Sequence, residues 1–264
     1  MTDQAIYLET RGAIAELVLN RPDKRNALSA EMWRAIPRLV GEAGADPEVK
    51  ALILRGASAA AFSAGADIAE FDQVHASAAS ARDYHAVVGV AYEALALMAK
   101  PTIAMVRGVC FGGGCALALC CDLRYADPSA GFCIPPARLG LTYSLGETKR
   151  LVDLVGPSRA KEMLMGAKVI EAEEALRIGL ATRLFAAADL ERETLALAEQ
   201  LCRLSQFTIR AVKQVIASRT ARSRRPSCPG ACSSASSRAP TISRAAAPSW
   251  KSASPASLSA ETAS

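Results

Sequence analysis

Histidine and long apolar runs are the two things that this sequence most plainly lacks. Only two of its 264 residues are histidine, and neither lies at ligand spacing from a pair of cysteines. No apolar run approaches the ~20 residues that a membrane-spanning helix needs. The sequence therefore argues against a zinc site and against a membrane partner, and we expect no bound metal.

A disulfide framework is also missing, although the chain has eight cysteines. Cys110, Cys115, Cys120 and Cys121 lie among valine, leucine, alanine and glycine, where a thiol acts as a small apolar side chain. Cysteine density is low for a disulfide scaffold. The acidic, mixed first ten residues (MTDQAIYLET) match neither a signal peptide nor a transit peptide. We therefore expect a cytoplasmic location.

Most of the chain has no excess of charge of either sign. The 31 basic and 26 acidic residues give a net charge of +5. From residue 221 on there are six basic residues and one acid, so residues 1–220 carry 25 charges of each sign. A nucleic-acid-binding protein needs a basic face with a recognition motif. Neither is present in this balanced part, and we expect no nucleic-acid partner.

Apolar residues, by contrast, make up 51% of the chain, enough for a large core. Residues 13–22 and 49–56 have the composition of strands, and Ser29 between them is a candidate N-cap of a helix. The helix has apolar residues at helical spacing: Met32, Ile36, Leu39 and Val40. Strands and helices alternate along the chain, which predicts an α/β fold with mostly parallel strands. No G-x-G-x-x-G follows the first strand, which counts against a nucleotide-binding Rossmann fold.

Two short segments are typical of sites where the backbone meets a ligand. Residues 62–67 (FSAGAD) and 111–115 (FGGGC) each follow a predicted strand and open a predicted helix. A helix N-terminus presents unpaired N–H groups and the positive end of the helix dipole. Two such ends aimed at one oxygen form an oxyanion hole, which stabilises negative charge as it develops.

The two loops belong to a set of motifs that resembles the crotonase, or enoyl-CoA hydratase/isomerase, superfamily. The motifs, in order, are residues 19–28 (LNRPDKRNAL), 62–68 (FSAGADI), 108–127 (GVCFGGGCALALCCDLRYAD) and 132–141 (FCIPPARLGL). The resemblance implies a spiral of ββα units with a helical C-terminal region, assembled as a homotrimer or a dimer of trimers. It also implies an acyl-CoA thioester as ligand, so that coenzyme A is part of the substrate and no separate cofactor is expected.

The resemblance also divides the chain. Residues 1–200 are expected to form the spiral core, and residues 201–222 to begin the helical C-terminal region. The pattern is helical from residue 145 to residue 218, with breaks at residues 156–157 and at residue 179.

Residues 223–264 do not fit the family pattern. They include 13 serines, several prolines and no periodicity, as in a disordered tail. A frameshift is the other interpretation. The coding sequence can be read in a second frame, in which each codon starts at the third base of the present one. In that frame the last base of the Trp250 codon and the first two bases of the Lys251 codon form a glutamate codon, GAA. The neighbouring codons allow the family-like ending AFMEKR. A real shift would weaken the trimer and leave the CoA pocket incomplete.

Matched motif by motif, the resemblance assigns the two oxyanion-hole donors to the backbone amides of Ala66 and Gly113. A thioester carbonyl polarised by two N–H groups lets charge spread into an enolate. Lys24 or Arg25 matches the basic position that meets the CoA nucleotide, and Asp67 is expected to cap its own helix. The expected substrate-binding residues are Lys24, Arg25, Ala27, Ala64, Gly65, Asp67, Ile68, Gly112, Pro136 and Leu139.

The two glutamates that activate water in hydratases of this family are absent. Their positions here are Ala116 and Pro136, and neither side chain can give or take a proton. Some isomerases and dehalogenases of the family carry an acid where this chain has Ser144. The nearest candidate catalytic groups are therefore Glu147 and Tyr143, although a phenol with a pKa near ~10 is a poor base.

Three functions stay open. The first is an acyl-CoA-processing enzyme of the enoyl-CoA hydratase/isomerase type, a lyase or isomerase of fatty acid metabolism that stabilises a thioester enolate without efficient hydration. The second is a non-catalytic acyl-CoA-binding protein. The third is an isomerase-type enzyme with an unidentified acid or base.

Overall fold

A computed structural model describes residues 4–74 and 76–222, with the side chains of residues 72, 73 and 219–222 excluded. The chain divides into a compact unit, Met1–Ala221, and a second unit, Arg222–Ser264. The frameshift or disorder predicted for residues 223–264 lies outside the described residues. Within the described ranges, every helix is too short or too polar to cross a membrane.

Ten strands and nine α-helices make up the described part of the chain. The strands are β1 (Ile6–Arg11), β2 (Ile14–Leu19), β3 (Ala51–Gly56), β4 (Ala61–Ser63), β5 (Thr102–Val106), β6 (Val109–Phe111), β7 (Leu123–Ala126), β8 (Gly131–Cys133), β9 (Ile170–Glu171) and β10 (Arg183–Leu184). The helices are α1 (Ala30–Ala45), α2 (Phe71–Val74), α3 (Ala78–Ala96), α4 (Gly113–Cys120), α5 (Pro136–Leu139), α6 (Leu145–Gly166), α7 (Ala172–Arg177), α8 (Leu190–Arg203) and α9 (Gln206–Arg222).

The larger sheet has six strands in the order β1-β2-β3-β5-β7-β10. Its pairs are parallel except for β1 with β2, which form an antiparallel hairpin. The two central strands, β3 (ALILRG) and β5 (TIAMV), are mainly apolar, as parallel strands covered on both faces usually are. The predicted α/β class with mostly parallel strands is confirmed.

The smaller sheet, β4-β6-β8-β9, positions the two glycine-containing loops. Strands β4 and β6 are parallel neighbours, with Ala61 opposite Val109 and Ser63 opposite Cys110. The two loops leave the C-terminal ends of these strands. Because parallel neighbours end at the same edge of a sheet, both loops begin side by side.

Helix α1 forms as its sequence predicts. The Ser29 side chain accepts a hydrogen bond from the Met32 N–H at 3.3 Å, which satisfies one of the free donors of the first turn. The apolar face is buried and includes Trp33, whose ring packs edge-on against Tyr92 of α3 at 5.3 Å between centroids. Helix α1 therefore lies against α3, directly behind the start of α4.

Helix α4 is the most buried helix of the described chain. Every residue from Gly114 to Cys120 is buried, and the helix packs against α3, α6, β4 and β6. A helix that is apolar on all sides belongs in the core of a large domain. Its N-terminus, at the end of the glycine run, is consequently held on several sides.

The C-terminal half is less uniformly helical than its sequence pattern predicts. Gly156 (φ +77°) interrupts α6, and Gly179 (φ +80°) lies just after α7, as expected for the two breaks. The two-residue strands β9 and β10 also fall in this region. Two residues are too few to show an alternating pattern, so the sequence carries no signal for them.

Candidate active site

The first loop is held against residues 21–28 by a short parallel bridge. The N–H of Leu28 donates to the carbonyl of Gly65 at 2.7 Å, and the N–H of Asp67 donates to the carbonyl of Leu28 at 2.9 Å. These bonds use the carbonyl of Gly65 and the N–H of Asp67, on either side of Ala66. The N–H of Ala66 itself therefore points away from residues 21–28. Among the described residues, no group accepts a hydrogen bond from that N–H.

The second loop ends in a free N–H as well. Gly113 is the first residue of α4, where an N–H has no partner within the helix. The preceding residue, Gly112, has φ +50° and ψ −121°, a conformation that side chains disfavour. Its N–H donates to the carbonyl of Cys133 at 2.9 Å, which fixes the turn on β8. The described chain provides no acceptor for the Gly113 N–H.

The two loops touch at Gly65. A Cβ atom at this position would lie 2.8 Å from the carbonyl oxygen of Phe111 and 3.1 Å from the nitrogen of Gly113. The backbone also has φ +93° there. Glycine is therefore required on steric and conformational grounds, and the residue before Ala66 lies in contact with the peptide of Gly113.

Side chains behind the second loop restrict it from the other side. A Cβ atom at Gly113 would lie 2.9 Å from the Trp33 indole and 3.3 Å from the hydroxyl of Tyr92. A Cβ atom at Gly114 would lie 2.6 Å from the Cβ of Ser63. The triple glycine thus lets α4 begin within contact distance of β4, α1 and α3. Trp33 and Tyr92 carry no motif signal, and sequence reasoning missed both.

Tyr143 reaches the same turn from the segment between α5 and α6. Its hydroxyl donates a 2.6 Å hydrogen bond to the carbonyl of Gly112. Burial, reinforced by the nearby Cys115 and Glu147, raises the pKa of Tyr143 well above its usual value. The phenol is consequently a neutral donor at physiological pH.

Asp67 acts as a structural anchor of the first loop. It accepts hydrogen bonds from Arg21 at 2.8 Å and from the N–H of Ala69 at 3.1 Å, and it forms an ion pair with Lys24 at 3.5 Å. Burial opposes its ionisation, but the hydrogen bonds and the charges of Arg21 and Lys24 outweigh burial and lower its pKa. The predicted cap is confirmed, although the helix that follows is a 3₁₀ turn, Ile68–Glu70.

The other predicted substrate-binding residues lie on three segments. Lys24 and Arg25 are exposed beside the first loop, and the carbonyl of Arg25 accepts from the N–H of Ala64 at 2.9 Å. Ala27 is buried and its carbonyl accepts from Arg21, whereas the side chain of Ile68 is 48% exposed.

The third of these segments is α5, which follows β8. Pro136 is the buried first residue of α5, and the Leu139 side chain near its end is half exposed. The ring of Pro135 would lie 3.9 Å from a Cβ atom at Gly112. The structure therefore brings the start of this segment to the glycine turn and leaves its far end at the surface.

The positions of the expected acids hold no acid in the structure. Ala116 is 1% exposed within α4, and Pro136 is buried. Glu147 closes a capping box at the start of α6. Its carboxylate accepts from the N–H of Ser144 at 2.8 Å, and its own N–H donates to the Ser144 hydroxyl at 3.3 Å. The pattern S-x-x-E before a helix is the sequence signal of this arrangement.

Burial makes two of the buried thiols, those of Cys110 and Cys120, weaker acids than a free cysteine. Burial raises the pKa of Cys120 to about 12 and that of Cys110 well above its usual value. Cys115 lies fully buried in α4 and packs as an apolar side chain. Within the described ranges, no three histidine, cysteine or carboxylate side chains are placed to hold a metal ion.

Comparisons with known proteins identify the family. A model of the enoyl-CoA hydratase/isomerase family matches residues 9–228. The chain belongs to the enoyl-CoA hydratase/isomerase family. A crotonyl-CoA hydratase from Syntrophomonas wolfei is 39% identical over 213 residues, which cover 81% of each chain. A short-chain-enoyl-CoA hydratase from Clostridium acetobutylicum is 36% identical over 211 residues, which cover 80% of each chain.

Solved structures of this family share the fold. An enoyl-CoA hydratase/isomerase family protein from Hyphomonas neptunium has a TM-score of 0.80 at 39% identity and covers 85% of both chains. An enoyl-CoA hydratase/carnithine racemase from Magnetospirillum magneticum has a TM-score of 0.79 at 34% identity, covering 82% of this chain and 81% of that one. These comparisons confirm the predicted family and its crotonase-type fold. They also confirm the prediction that the chain is an enzyme of this family.

Proposed function

We propose that this enoyl-CoA hydratase/isomerase family enzyme processes an acyl-CoA thioester by stabilising its enolate between the N–H groups of Ala66 and Gly113. The observation that supports the proposal is the contact at Gly65 between the two loops, whose Ala66 and Gly113 N–H groups have no acceptor among the described residues. A thioester carbonyl that accepts from both donors would gain negative charge in the transition state. Losing one such donor typically raises the barrier by roughly 3–4 kcal/mol.

The surroundings of Gly113 support this role. The N-terminus of α4 carries the positive end of the helix dipole, which favours a developing anion. The helix is buried along its length, so the effective dielectric constant there is lower than in water and the interaction is correspondingly stronger. The donors are also fixed before the substrate binds, which avoids reorganisation during the reaction.

Lys24 and Arg25 support recognition of coenzyme A. Both side chains are exposed, and the backbone of this segment is hydrogen-bonded to the first loop. Cations at this place would attract the phosphates of a CoA nucleotide while the thioester reaches the donors. Coenzyme A then enters and leaves as part of the substrate, and the proposal requires no further cofactor.

The residues available for proton transfer argue against efficient hydration. Ala116 and Pro136 cannot act as acid or base, and the carboxylate of Glu147 is already bound to the cap of its own helix. The proposal is therefore an enolate reaction of the isomerase type. Glu147 is its candidate acid or base, whereas Tyr143, the other candidate from the sequence, donates its proton to the carbonyl of Gly112.

Assembly as a homotrimer or as a dimer of trimers is part of the proposal. Its support is the apolar side chains that α9 exposes, among them Phe207 at 82% and Val215 at 68% exposure. Apolar surface of this kind commonly marks a protein contact. Light scattering that gives the mass of a single chain at micromolar concentration would contradict it.

The proposed oxyanion hole is tested with a chromophoric thioester, 4-dimethylaminocinnamoyl-CoA. Two hydrogen bonds to its carbonyl pull charge along the conjugated chain, so binding is expected to shift its absorbance to longer wavelength. Binding without a red shift would contradict the two-donor site. A parallel assay follows the conjugated absorbance of crotonyl-CoA, where turnover typical of a hydratase would contradict the interpretation of Ala116 and Pro136.

A further inference from the structure

We propose that Tyr143 is a positioning residue that strengthens the oxyanion hole through the peptide bond between Gly112 and Gly113. The hydroxyl of Tyr143 donates to the carbonyl of Gly112 at 2.6 Å. The N–H of Gly113 belongs to the same peptide unit and is one of the two proposed donors. The inference rests on the proposed function and adds to it a side chain that tunes a backbone donor without touching the substrate.

The physical basis is the resonance of the peptide group. A hydrogen bond to the carbonyl oxygen draws electron density from the nitrogen and makes the N–H a stronger donor. Chains of hydrogen bonds strengthen one another by about 10–30% per bond. A substrate carbonyl on Gly113 would complete such a chain, running from the phenol of Tyr143 through the peptide to the thioester.

The bond is not needed merely to satisfy a buried carbonyl. The oxygen of Gly112 also accepts from the N–H of Ala116 at 3.0 Å, within the first turn of α4. A carbonyl has two lone pairs, so this second bond keeps it paired when the phenol is removed. Phenylalanine at position 143 would preserve the ring and its packing. The variant is therefore expected to fold.

The ionisation state of Tyr143 suits a permanent donor. The pKa of the phenol is raised well above its usual value by burial first and by the nearby Cys115 and Glu147 next. The residue therefore keeps its proton across the neutral range. It also remains protonated when its intrinsic acidity is increased modestly, which makes a fluorinated tyrosine a usable probe.

The test compares Tyr143→Phe, 3-fluorotyrosine at position 143, and the matched control Tyr125→Phe in the full chain. Tyr125 also has a buried phenol ring, but it packs on Phe185 in a separate part of the core. With 4-dimethylaminocinnamoyl-CoA, Tyr143→Phe is expected to reduce the red shift by about 5–15%, because it weakens only one of the two hydrogen bonds to the carbonyl, by about 10–30%. The fluorinated residue is a stronger donor and is expected to increase the shift, while Tyr125→Phe leaves it unchanged.

The outcomes distinguish polarisation of the Gly112–Gly113 peptide by Tyr143 from a merely structural role of this side chain. A red shift equal to wild type in both position-143 variants would overturn the inference and leave the oxyanion hole intact. A loss of shift in Tyr143→Phe that fluorination does not mirror would show a structural role and would overturn it as well. No red shift in the wild-type protein would overturn the proposed function together with this inference.

Discussion

Gly65 offers a direct test of the contact between the two loops. In Gly65→Ala the new Cβ atom would lie 2.8 Å from the oxygen of Phe111 and 3.1 Å from the nitrogen of Gly113, both of them backbone atoms. Gly12→Ala is the matched control. Gly12 also has a positive φ of +59°, but a Cβ atom there meets nothing within 4 Å.

Two free-energy costs distinguish the variants: backbone strain at positive φ, and steric overlap of the new Cβ atom with its neighbours. A side chain at positive φ costs roughly 1–2 kcal/mol, and both variants carry this cost. Overpacking against rigid neighbours adds roughly 1–3 kcal/mol to Gly65→Ala alone. To restore ordinary contact at 3.4 Å or more, the loops must separate by several tenths of an ångström. This separation is expected to move the N–H groups of Ala66 and Gly113 out of alignment. A displacement of about 1 Å can reduce catalysis about 10²-fold, so the effect on the site is expected to be large.

Two measurements check this reasoning. Urea unfolding is expected to show Gly65→Ala less stable than Gly12→Ala by the collision cost. The red shift of 4-dimethylaminocinnamoyl-CoA is expected to disappear in Gly65→Ala and to persist in Gly12→Ala. A folded Gly65→Ala protein with the wild-type red shift would refute the claim that this contact aligns the donors.

Three further predictions concern charge, chemistry and helix stability. Asp67→Asn should lower the free energy of unfolding by roughly 1.5–3 kcal/mol at pH 7. The pKa of Asp67 is lowered in the folded state, so this stabilisation should be lost as the pH falls below the ordinary pKa value of 3.8. Urea unfolding at a series of pH values should therefore show the stabilities of the wild type and Asp67→Asn converging below that pH. The double variant Ala116→Glu, Pro136→Glu should raise crotonyl-CoA hydration about 10²-fold or more, followed by absorbance; a folded variant that binds the thioester without any gain would count against the assignment of these positions. Gly41→Ala, on an open face of α1, should raise the free energy of unfolding by roughly 0.5–1 kcal/mol in urea, and a decrease would be inconsistent with that open surface.

Local patterns predict the elements that are long and periodic. Helix α1 follows from Ser29 and the apolar spacing after it, because a cap and one buried face are local properties. The strands β4 and β6 are only three residues long, so they show no alternation of their own. Their existence is nonetheless essential, because their parallel pairing is what starts both loops at one edge.

The motifs predict which backbone segments form the candidate site but not how side chains complete it. Ala66, Gly113 and Asp67 lie in segments that the family motifs mark. The reach of Tyr143 to Gly112 depends on how the α5–α6 segment packs on α4, and no spacing in the sequence encodes that distance. Glu147 illustrates a local signal that the sequence analysis did not use, because the pattern S-x-x-E at residues 144–147 indicates a capping box and hence a structural use of the carboxylate.

The burial of α4 has a consequence for how the site is lost. Many binding sites depend on loops that open locally at little cost, so their occupancy falls long before the protein unfolds. Here one proposed donor begins a helix that is enclosed along its length by α3, α6 and two strands. Exposing that helix to solvent would require disruption of the core around it. The hydrogen-bonded amide protons of α4, from Ala116 to Cys120, are therefore expected to exchange only through global unfolding, and the site should persist for as long as the fold does.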